Sequence, residues 1–280
     1  MLVQKSKIFS ILSKLIFIIK NNVYFIISLL FPYNYINKKY SQEFMKKKQK
    51  SSPPKIIHTK INKIIYMFWT GTNEITPNRM QGIDSLKKNA EIPVRIITPK
   101  NLCKYILPDD PLPSAYEKLS LNHRSDYLRA YFMYHYGGGY ADIKRYAHSW
   151  KEAFNELDDS DAYVLGYPEV NYCGAANIKE DKILAKDLEI YWRLLIGNGA
   201  FICRPHTPFT EEWYSETKRR LLLYSDQLSK HPAKGIFGEN KDYPLPWTYL
   251  QGEVFHPLCL KYNNKILRNK KIKPSFVNYR

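Results

Sequence analysis

The chain lacks the cysteine pattern of a disulfide framework or a zinc site. Its 280 residues include four cysteines, and no two of them form a Cys-X-X-Cys pair. Scattered thiols of this kind are typical of a reduced, cytosolic protein rather than a small secreted scaffold. The chain is also long enough to bury the core of one large α/β domain, alone or with an appendage.

Acidic residues are nearly absent from the first 63 positions, where Glu43 stands against 13 lysines. The whole chain carries a formal charge of +17, so most of the positive excess lies in this segment and the remainder has an ordinary mixed surface. The sequence contains no recognisable nucleic-acid-binding motif. Lysines beside apolar residues indicate an anionic membrane surface, and not nucleic acid, as the partner.

A small-residue cleavage site, which a secretory signal peptide requires, is missing after the first apolar segment. That segment, residues 8–31, is long enough to span a bilayer. Lys14, Lys20 and Asn21 interrupt it and fall, on a helix, along one narrow polar stripe. We expect an interfacial helix with its lysines toward the lipid headgroups; a single spanning anchor and a helix that docks on another protein are the alternatives.

The next segment is polar and lysine-rich and contains two consecutive prolines, which is typical of a linker. The predicted organisation is therefore a membrane-associating segment at residues 1–45, a basic linker at 46–60 and one domain at 61–280.

Strand-like and helix-like segments alternate after the linker. Apolar runs rich in β-branched and aromatic residues predict strands at 63–69, 93–98, 140–143, 162–167 and 199–204. Helical spacing predicts helices at 77–90, 120–136, 183–195 and 208–228, with shorter ones at 100–106 and 111–119. We expect an α/β fold with a mainly parallel, Rossmann-type sheet flanked by helices, and ligands at the carboxyl ends of its strands.

Residues suited to chemistry cluster around 137-GGGYADIK-144 and the helix before it. On that helix Asp126 and Arg129 are neighbours, three residues apart. The three glycines end the helix and lead into a short strand that finishes at Asp142. Alone, the Asp126–Arg129 pair would be interpreted as a surface ion pair worth under about 1 kcal/mol. The glycine turn and the strand bring both residues and Asp142 toward one crevice.

These motifs resemble a known family. SDYLR and GGGYADIK are similar to the SDxxR…GGxYxDxD signature, with its DXD-type sugar-binding region, of family 32 glycosyltransferases. That group includes bacterial capsular-polysaccharide and O-antigen transferases and, more distantly, large glucosylating toxins. IYMFWTG at 65–71 resembles the family's first strand, and 197-GNGAFICRPHTPFTEEWY-214 resembles a later segment. Together these segments cover residues 60–215, and their order and spacing make the resemblance specific.

The resemblance implies a nucleotide-sugar-dependent hexosyltransferase of the GT-A fold with a retaining outcome. Carried over to this chain, Trp69 would stack on the nucleotide base, and Asp126 and Arg129 would hold hydroxyls of the donor sugar. Asp142 would contact the ribose and the metal-bound diphosphate. The candidate catalytic residues are Asp126, Arg129 and Asp142, and the candidate donor-binding residues also include Trp69, Tyr140, Lys144, Asn198 and Trp247.

The chain departs from the family at Lys144, which replaces the second acid of the DXD motif, a ligand of Mn²⁺ or Mg²⁺. Two alternatives follow. Asp142 still holds a metal, with His256 or Glu253 as further ligands, or the ammonium of Lys144 takes over the positive charge and stabilises the leaving diphosphate. The family's habit favours the metal, held by Asp142 and His256.

We therefore expect an enzyme that moves a hexose from a nucleotide sugar, a UDP-sugar, to a growing capsule, O-antigen or lipopolysaccharide glycan. Its expected location is the cytoplasmic face of the inner membrane, attached peripherally or by a single N-terminal anchor, where a glycan or lipid-linked acceptor shares the surface. The alternative is a catalytically silent homologue that binds nucleotide sugars or acts as a scaffold. Lys144 supports the alternative, whereas Trp69, Asp126, Arg129 and Asp142 favour the enzyme.

Overall fold

The computed structural model describes residues 2–51, 55 and 59–278, so much of the predicted linker lies outside the described residues. The helices are α1 (Leu2–Leu30), α2 (Glu43–Lys46), α3 (Pro77–Asn89), α4 (Leu121–His135), α5 (Lys151–Asp158), α6 (Lys182–Ile190), α7 (Pro208–Leu223), α8 (Ser225–Lys230) and α9 (Gly252–Lys261). The strands are β1 (Ile65–Phe68), β2 (Val94–Ile97), β3 (Gly138–Ala141), β4 (Val164–Pro168), β5 (Ile196–Cys203) and β6 (Ile266–Arg268). Short 3₁₀ turns include Leu102–Tyr105, Ser114–Lys118, Trp192–Leu194 and Lys270–Ile272.

The six described strands form one mixed sheet in the order β2-β1-β3-β5-β4-β6. β5 runs antiparallel to both of its neighbours, β3 and β4, while the other pairings are parallel. The predicted α/β fold with a mostly parallel sheet is therefore confirmed. Because β5 alone is reversed, one edge of the sheet contains the carboxyl ends of β1, β2, β3, β4 and β6 together with the start of β5. We call it the carboxyl edge.

Alternation along the strands divides the core between the two faces of the sheet. Tyr66 and Phe68 of β1 pack on one face, together with side chains of α4, α6, α7 and α9. Ile65 and Met67 pack on the other face, with side chains of α3 and α5. Every residue of β1 is buried, as expected for a central strand covered by helices on both sides.

The predicted glycine stop after α4 is confirmed, and the backbone shows why glycine is needed there. Gly137 and Gly138 have positive φ angles of 61° and 86°, which side-chain-bearing residues seldom adopt. A Cβ atom on Gly138 would also lie 2.7 Å from the carbonyl oxygen of Ile64. The turn therefore places β3 directly beside β1, with its end at the carboxyl edge.

Four elements, α2, α5, α9 and β6, do not follow from the sequence patterns. α9 carries Pro257 in its interior, where proline removes the hydrogen bond that its amide would make to the carbonyl of Glu253. In the structure that carbonyl accepts a hydrogen bond from Nη2 of Arg220 at 3.5 Å instead. A tertiary contact thus replaces the missing helical bond, and such a contact is invisible in local sequence.

Lys20, in the polar stripe of α1, faces the body of the protein, which corrects the expectation that it points to headgroups; the orientation expected for Lys14 stays a prediction. Nζ of Lys20 lies 3.1 Å from the carboxylate of Glu189 and 4.3 Å from the centroid of the Tyr172 ring. The hydroxyl of Tyr24 donates to the same carboxylate at 2.8 Å. An apolar helix cannot leave a lysine unpaired without cost, and Glu189 supplies its partner. Lys14 is exposed.

The opposite side of α1 is apolar and exposed. Ser10–Leu30 is long and apolar enough to cross a membrane, and only 6% of its most hydrophobic 18-residue window is buried in the protein. Exposed side chains such as Ile16, Ile19 and Leu30 cover this side. This helix is a candidate membrane anchor by length and composition.

The chain after α1 also packs on the body. Tyr40, Phe44 and Met45 are buried in the same core cluster as α9. The ammonium of Lys261, which is fully buried, donates to the carbonyl of Phe44 at 2.7 Å and to the carboxylate of Glu212 at 2.7 Å. The predicted domain boundaries stay a prediction, but residues 31–46 contribute to the core.

We predict that Phe44→Ala lowers the free energy of unfolding by about 3–5 kcal/mol, because the change leaves a cavity in the core. The control is Phe31→Ala in the same segment, since Phe31 is 65% exposed while Phe44 is 4% exposed; its effect should stay within about 0.5 kcal/mol. Urea unfolding of both variants in detergent would measure this. Equal stability of the two variants would contradict the packing of residues 31–46 on the body.

Candidate functional site

Asp142 lies at the carboxyl edge, directly after β3, and its carboxylate is the centre of a hydrogen-bonded cluster. Its backbone amide donates to the carbonyl of Gly199 at 2.7 Å, which fixes it beside β5. Oδ1 accepts hydrogen bonds from the Tyr140 hydroxyl at 2.6 Å and from Nη2 of Arg129 at 3.3 Å. Oδ2 accepts one from Nζ of Lys144 at 2.6 Å. Four of the predicted site residues are thus in direct contact.

Lys144 reaches Asp142 because the chain turns instead of continuing as a strand. The predicted strand extends to Ile143, but β3 ends at Ala141, and the amide of Lys144 donates to the carbonyl of Asp142 at 2.7 Å. α3 packs against this turn at Gly82, where a Cβ atom would lie 3.0 Å from the carbonyl of Lys144. The turn folds the ammonium back over the carboxylate two residues earlier.

The charges around Asp142 determine its protonation. Burial by itself would raise the pKa of the carboxyl group, but the positive charges of Lys144 and Arg129 outweigh burial and hold the pKa below its usual value. Asp142 is therefore ionised at neutral pH. Its two cationic partners have little access to solvent, because the side chain of Lys144 is only 10% exposed and that of Arg129 only 11%.

Asp126 and Arg129 are buried, which excludes the interpretation of a surface ion pair. Nη1 of Arg129 lies 3.4 Å from Oδ1 of Asp126 and donates to the carbonyl of Asn198 at 3.3 Å. The guanidinium carbon lies 4.6 Å from the centroid of the Tyr140 ring. Burial raises the pKa of Asp126, although the positive charge of Arg129 opposes the shift. Arg129 therefore bridges α4, β3 and β5.

Asn198 enters the site from the reversed strand. Its Oδ1 accepts a hydrogen bond from Nε2 of Gln251 at 3.3 Å, and its carbonyl binds Arg129. Gly199 is required beside it, since a Cβ atom there would lie 3.0 Å from Oδ2 of Asp142. The glycine allows β5 to approach the carboxylate closely, which is one role of glycine within a strand.

Trp69 lies at the same edge, after β1, and lines a separate small cavity. Its indole nitrogen donates to the carbonyl of Asn73 at 2.8 Å, which fixes the ring. The cavity has a volume of about 110 Å³ and lies at the carboxyl ends of β1 and β2, where Thr98 and Tyr116 are other wall residues. A flat, half-buried indole in such a cleft offers a stacking surface for a planar ring.

Trp247 lies in the loop before α9 and is 55% exposed. The loop is tied to α4 by His123, which the motifs do not mark as functional. The Nδ1 atom of His123 lies 2.7 Å from the Tyr243 hydroxyl, and Nε2 lies 3.2 Å from the carbonyl of Trp247. The contacts of the Trp247 ring place it beside Phe237, with centroids 5.5 Å apart. They do not join it to Asp142 within the described residues.

His256 and Glu253 lie on α9 and make other contacts than those expected of metal ligands. Nδ1 of His256 accepts from the amide of Ala176 at 3.0 Å, and burial lowers the pKa of the imidazole to about 4. Glu253 accepts from the Thr248 hydroxyl at 2.8 Å. In the described part of the chain, no contact links either side chain to Asp142. The predicted metal pair of Asp142 and His256 stays a prediction.

The side chains around Asp142 do not fit a resident divalent cation. Such an ion needs several oxygen ligands, but both carboxylate oxygens of Asp142 already accept hydrogen bonds from cationic side chains. Within the ranges that the structure describes, no cluster of three His, Cys, Asp or Glu side chains could hold a metal ion. The donor set instead supplies two positive charges of its own, from Lys144 and Arg129.

A comparison with protein-family models finds a family that matches more than half of the chain. The model of the family described as "Capsular polysaccharide synthesis protein" matches residues 19–179. This range includes Trp69, Asp126, Arg129 and the turn from Asp142 to Lys144, and it ends before Asn198. No curated protein and no solved structure matches the chain.

We predict that Lys144→Met lowers the free energy of unfolding by about 1–3 kcal/mol at pH 7, because a half-buried charged acceptor loses its closest donor. In the wild type the folded-state pKa of Asp142 is depressed, so its ionised form stabilises the fold above the usual aspartate pKa of about 3.9. In the variant the charge of Lys144 no longer opposes the effect of burial, so the pKa of Asp142 rises. Protonation of Asp142 then removes the unpaired negative charge. The deficit should therefore shrink between pH 7 and pH 4.

Urea unfolding at the two pH values would measure the effect, with Lys87→Met as the control because Lys87 is exposed on α3. A deficit of Lys144→Met that is the same at both pH values, or no larger than that of the control, would contradict the ion pair.

Proposed function

Because the chain belongs to the capsular polysaccharide synthesis protein family, we propose that it is a glycosyltransferase of the GT-A type. It transfers a hexose from a nucleotide-sugar donor, a UDP-sugar, to a growing surface glycan. The observation that carries the proposal is the cluster at the carboxyl edge, where Lys144 and Arg129 converge on Asp142. Open α/β sheets bind nucleotides at this edge.

The donor is oriented across neighbouring strands. The base stacks on Trp69 in the cavity at the ends of β1 and β2, and the diphosphate lies over the end of β3. β1 and β3 are adjacent in the sheet, and neighbouring strands are only about 4.8 Å apart. A single nucleotide sugar therefore spans from Trp69 to the cluster around Asp142.

The charged residues contact different parts of the donor. Asp142 and Asp126 accept hydrogen bonds from hydroxyl groups of the ribose and the sugar. The ammonium of Lys144 and the guanidinium of Arg129 face the diphosphate, where negative charge develops as the bond to the sugar breaks. Both cations are held in place before the reaction, so they need little reorganisation. The retaining outcome is proposed from the resemblance of the motifs alone.

The positive charge of Lys144 makes a metal unnecessary for the leaving group. A resident Mn²⁺ or Mg²⁺ next to Asp142 would be repelled by an ammonium 2.6 Å from the same carboxylate. We therefore favour the alternative in which Lys144 stands in for the metal charge, although the metal expected from the family stays untested.

The acceptor is a glycan or lipid-linked glycan at the cytoplasmic face of the cell membrane. The exposed apolar side of α1 and the lysine-rich N-terminal segment support this location, because apolar burial and attraction to anionic lipids act together. An enzyme held at this surface meets a lipid-linked acceptor there.

We predict that the purified protein hydrolyses one member of a panel of nucleotide sugars, and that EDTA leaves the rate unchanged. Asp142→Asn and Lys144→Ala should each lower the rate by about 10²–10³, the loss typical for removing one preorganised charge partner of the transition state. Lys87→Ala is the control, since it removes an exposed lysine on α3. Release of nucleoside diphosphate measures the rate.

Two results would contradict parts of the proposal. Strict dependence on Mn²⁺ with Lys144→Ala still active would exclude the ammonium route. Binding of a nucleotide sugar without any hydrolysis or transfer would favour the silent homologue, for which the Lys144–Asp142 contact is the supporting observation.

A further inference from the structure

A second and larger cavity lies at the carboxyl edge, on the other side of β5 from the cluster around Asp142. Its volume is about 600 Å³, and its wall includes Glu169, Trp192, Arg193, Arg268, Lys270 and Lys273. Glu169 follows β4, Arg268 ends β6, and Trp192 and Arg193 precede β5. The cavity therefore lies beyond β5 on the side of β4 and β6, whereas Trp69 and Asp142 lie at the ends of β1 and β3.

The wall of this cavity is strongly cationic. Arg193, Arg268, Lys270 and Lys273 contribute four positive charges, and among the described ion pairs none of the four has a carboxylate partner. Among the wall residues that the structure describes, Glu169 alone is acidic, and burial raises its pKa to about 7. A half-protonated carboxyl group offsets little of this charge at neutral pH, so the cavity attracts anions.

Two hydrogen-bond donors in the wall are buried and unused. The indole nitrogen of Trp192 and Nε of Arg268 are inaccessible to solvent and have no hydrogen-bond partner in the described part of the chain. Buried donors are seldom left without an acceptor, because an unmade hydrogen bond costs about 1–3 kcal/mol. A phosphate group reaches them only if the side chains of Trp192 and Arg268 turn toward the cavity, so the positive charge of the wall, and not these two donors, carries the binding of an anion.

The cavity adjoins α1. The guanidinium of Arg193 lies 4.5 Å from the centroid of the Phe25 ring on that helix, and Phe25 is exposed. α1 also contacts α6, which immediately precedes Trp192. The apolar side of the helix and the cationic cavity are therefore neighbours, as are the acyl chains and the headgroup of a lipid.

The C-terminal segment connects the cavity with the cluster around Asp142. Lys273 lines the cavity, and three residues later Phe276 lies 4.5 Å from Nζ of Lys144. Phe276 also lies beside Tyr167, with centroids 6.5 Å apart. Three extended residues span at most about 10–11 Å. A group bound in the cavity is thus close to the reacting end of the donor.

From these contacts we infer that the cavity binds the phosphate group of a membrane-borne acceptor. This inference rests on the proposed function, since it assigns the acceptor of the same reaction. The phosphate is held by Arg193, Arg268, Lys270 and Lys273, and the lipid extends along α1. The cavity at Lys273 is close to Lys144, and this suits an acceptor whose reacting hydroxyl group lies close to its phosphate group.

The test measures binding of inorganic pyrophosphate to the full-length protein in detergent, by calorimetry and by tryptophan fluorescence. The double variant Lys270→Gln/Lys273→Gln should weaken the affinity at least about tenfold, as expected for losing charge-assisted hydrogen bonds. The matched control Lys87→Gln/Lys88→Gln removes the same charge from an exposed part of α3 and should leave the affinity unchanged. Lys270→Arg/Lys273→Arg should restore binding, and Trp192→Phe should remove the fluorescence change.

A second arm identifies the source of the phosphate. Phosphatidylcholine vesicles that contain phosphatidic acid should displace pyrophosphate, whereas vesicles of phosphatidylcholine alone should not. An unchanged affinity in the glutamine double variant, or no displacement by the phosphatidic acid vesicles, would overturn the inference; the second result would indicate a soluble phosphate.

These measurements do not depend on turnover. If no nucleotide sugar is hydrolysed but the pyrophosphate results hold, the proposed function fails and the phosphate site stands. If hydrolysis holds and the glutamine double variant binds pyrophosphate normally, the phosphate site alone fails.

Discussion

A half-buried carboxylate at the end of a strand is stabilised by nearby positive charge, and the pairing of Asp142 with Lys144 and Arg129 is the constraint on which the site depends. It explains the turn after β3, which returns the ammonium to the carboxylate. It also explains the position of Arg129, which ties α4 to the carbonyl of Asn198 on β5. The same arrangement leaves two fixed cations at the place where we propose that the nucleotide diphosphate binds.

The reversed strand β5 divides the carboxyl edge into two halves. On one side lie the Trp69 cavity and the cluster around Asp142, and on the other lies the cationic cavity beside α1. Lys20 anchors α1 to the body through Glu189, so the candidate membrane anchor has a defined position relative to both halves. The arrangement fits a reaction in which a soluble donor and a membrane-borne acceptor approach from opposite sides.

Local sequence predicts what is encoded in contiguous patterns, which here means the alternation of strands and helices, the glycine turn, and the cluster of Asp126, Arg129 and Asp142. It does not predict contacts between distant positions. The partner of Lys20 is 169 residues away, so the polar stripe of α1 looked like a headgroup-facing surface. α9 was hidden because Pro257 suggests a loop. The cationic cavity was missed because its wall comes from separate segments whose lysines and arginines, taken singly, resemble ordinary surface residues.

The most direct measurement is a crystal structure of the protein with uridine diphosphate, grown in the presence of EDTA. The account predicts that phosphate oxygens contact Nζ of Lys144 and the guanidinium of Arg129, with the base stacked on Trp69 and no metal ion bound. A diphosphate bound elsewhere would contradict it. So would a failure to bind in EDTA followed, on adding Mn²⁺, by a structure with the ion between Asp142 and the phosphates and Lys144 turned away.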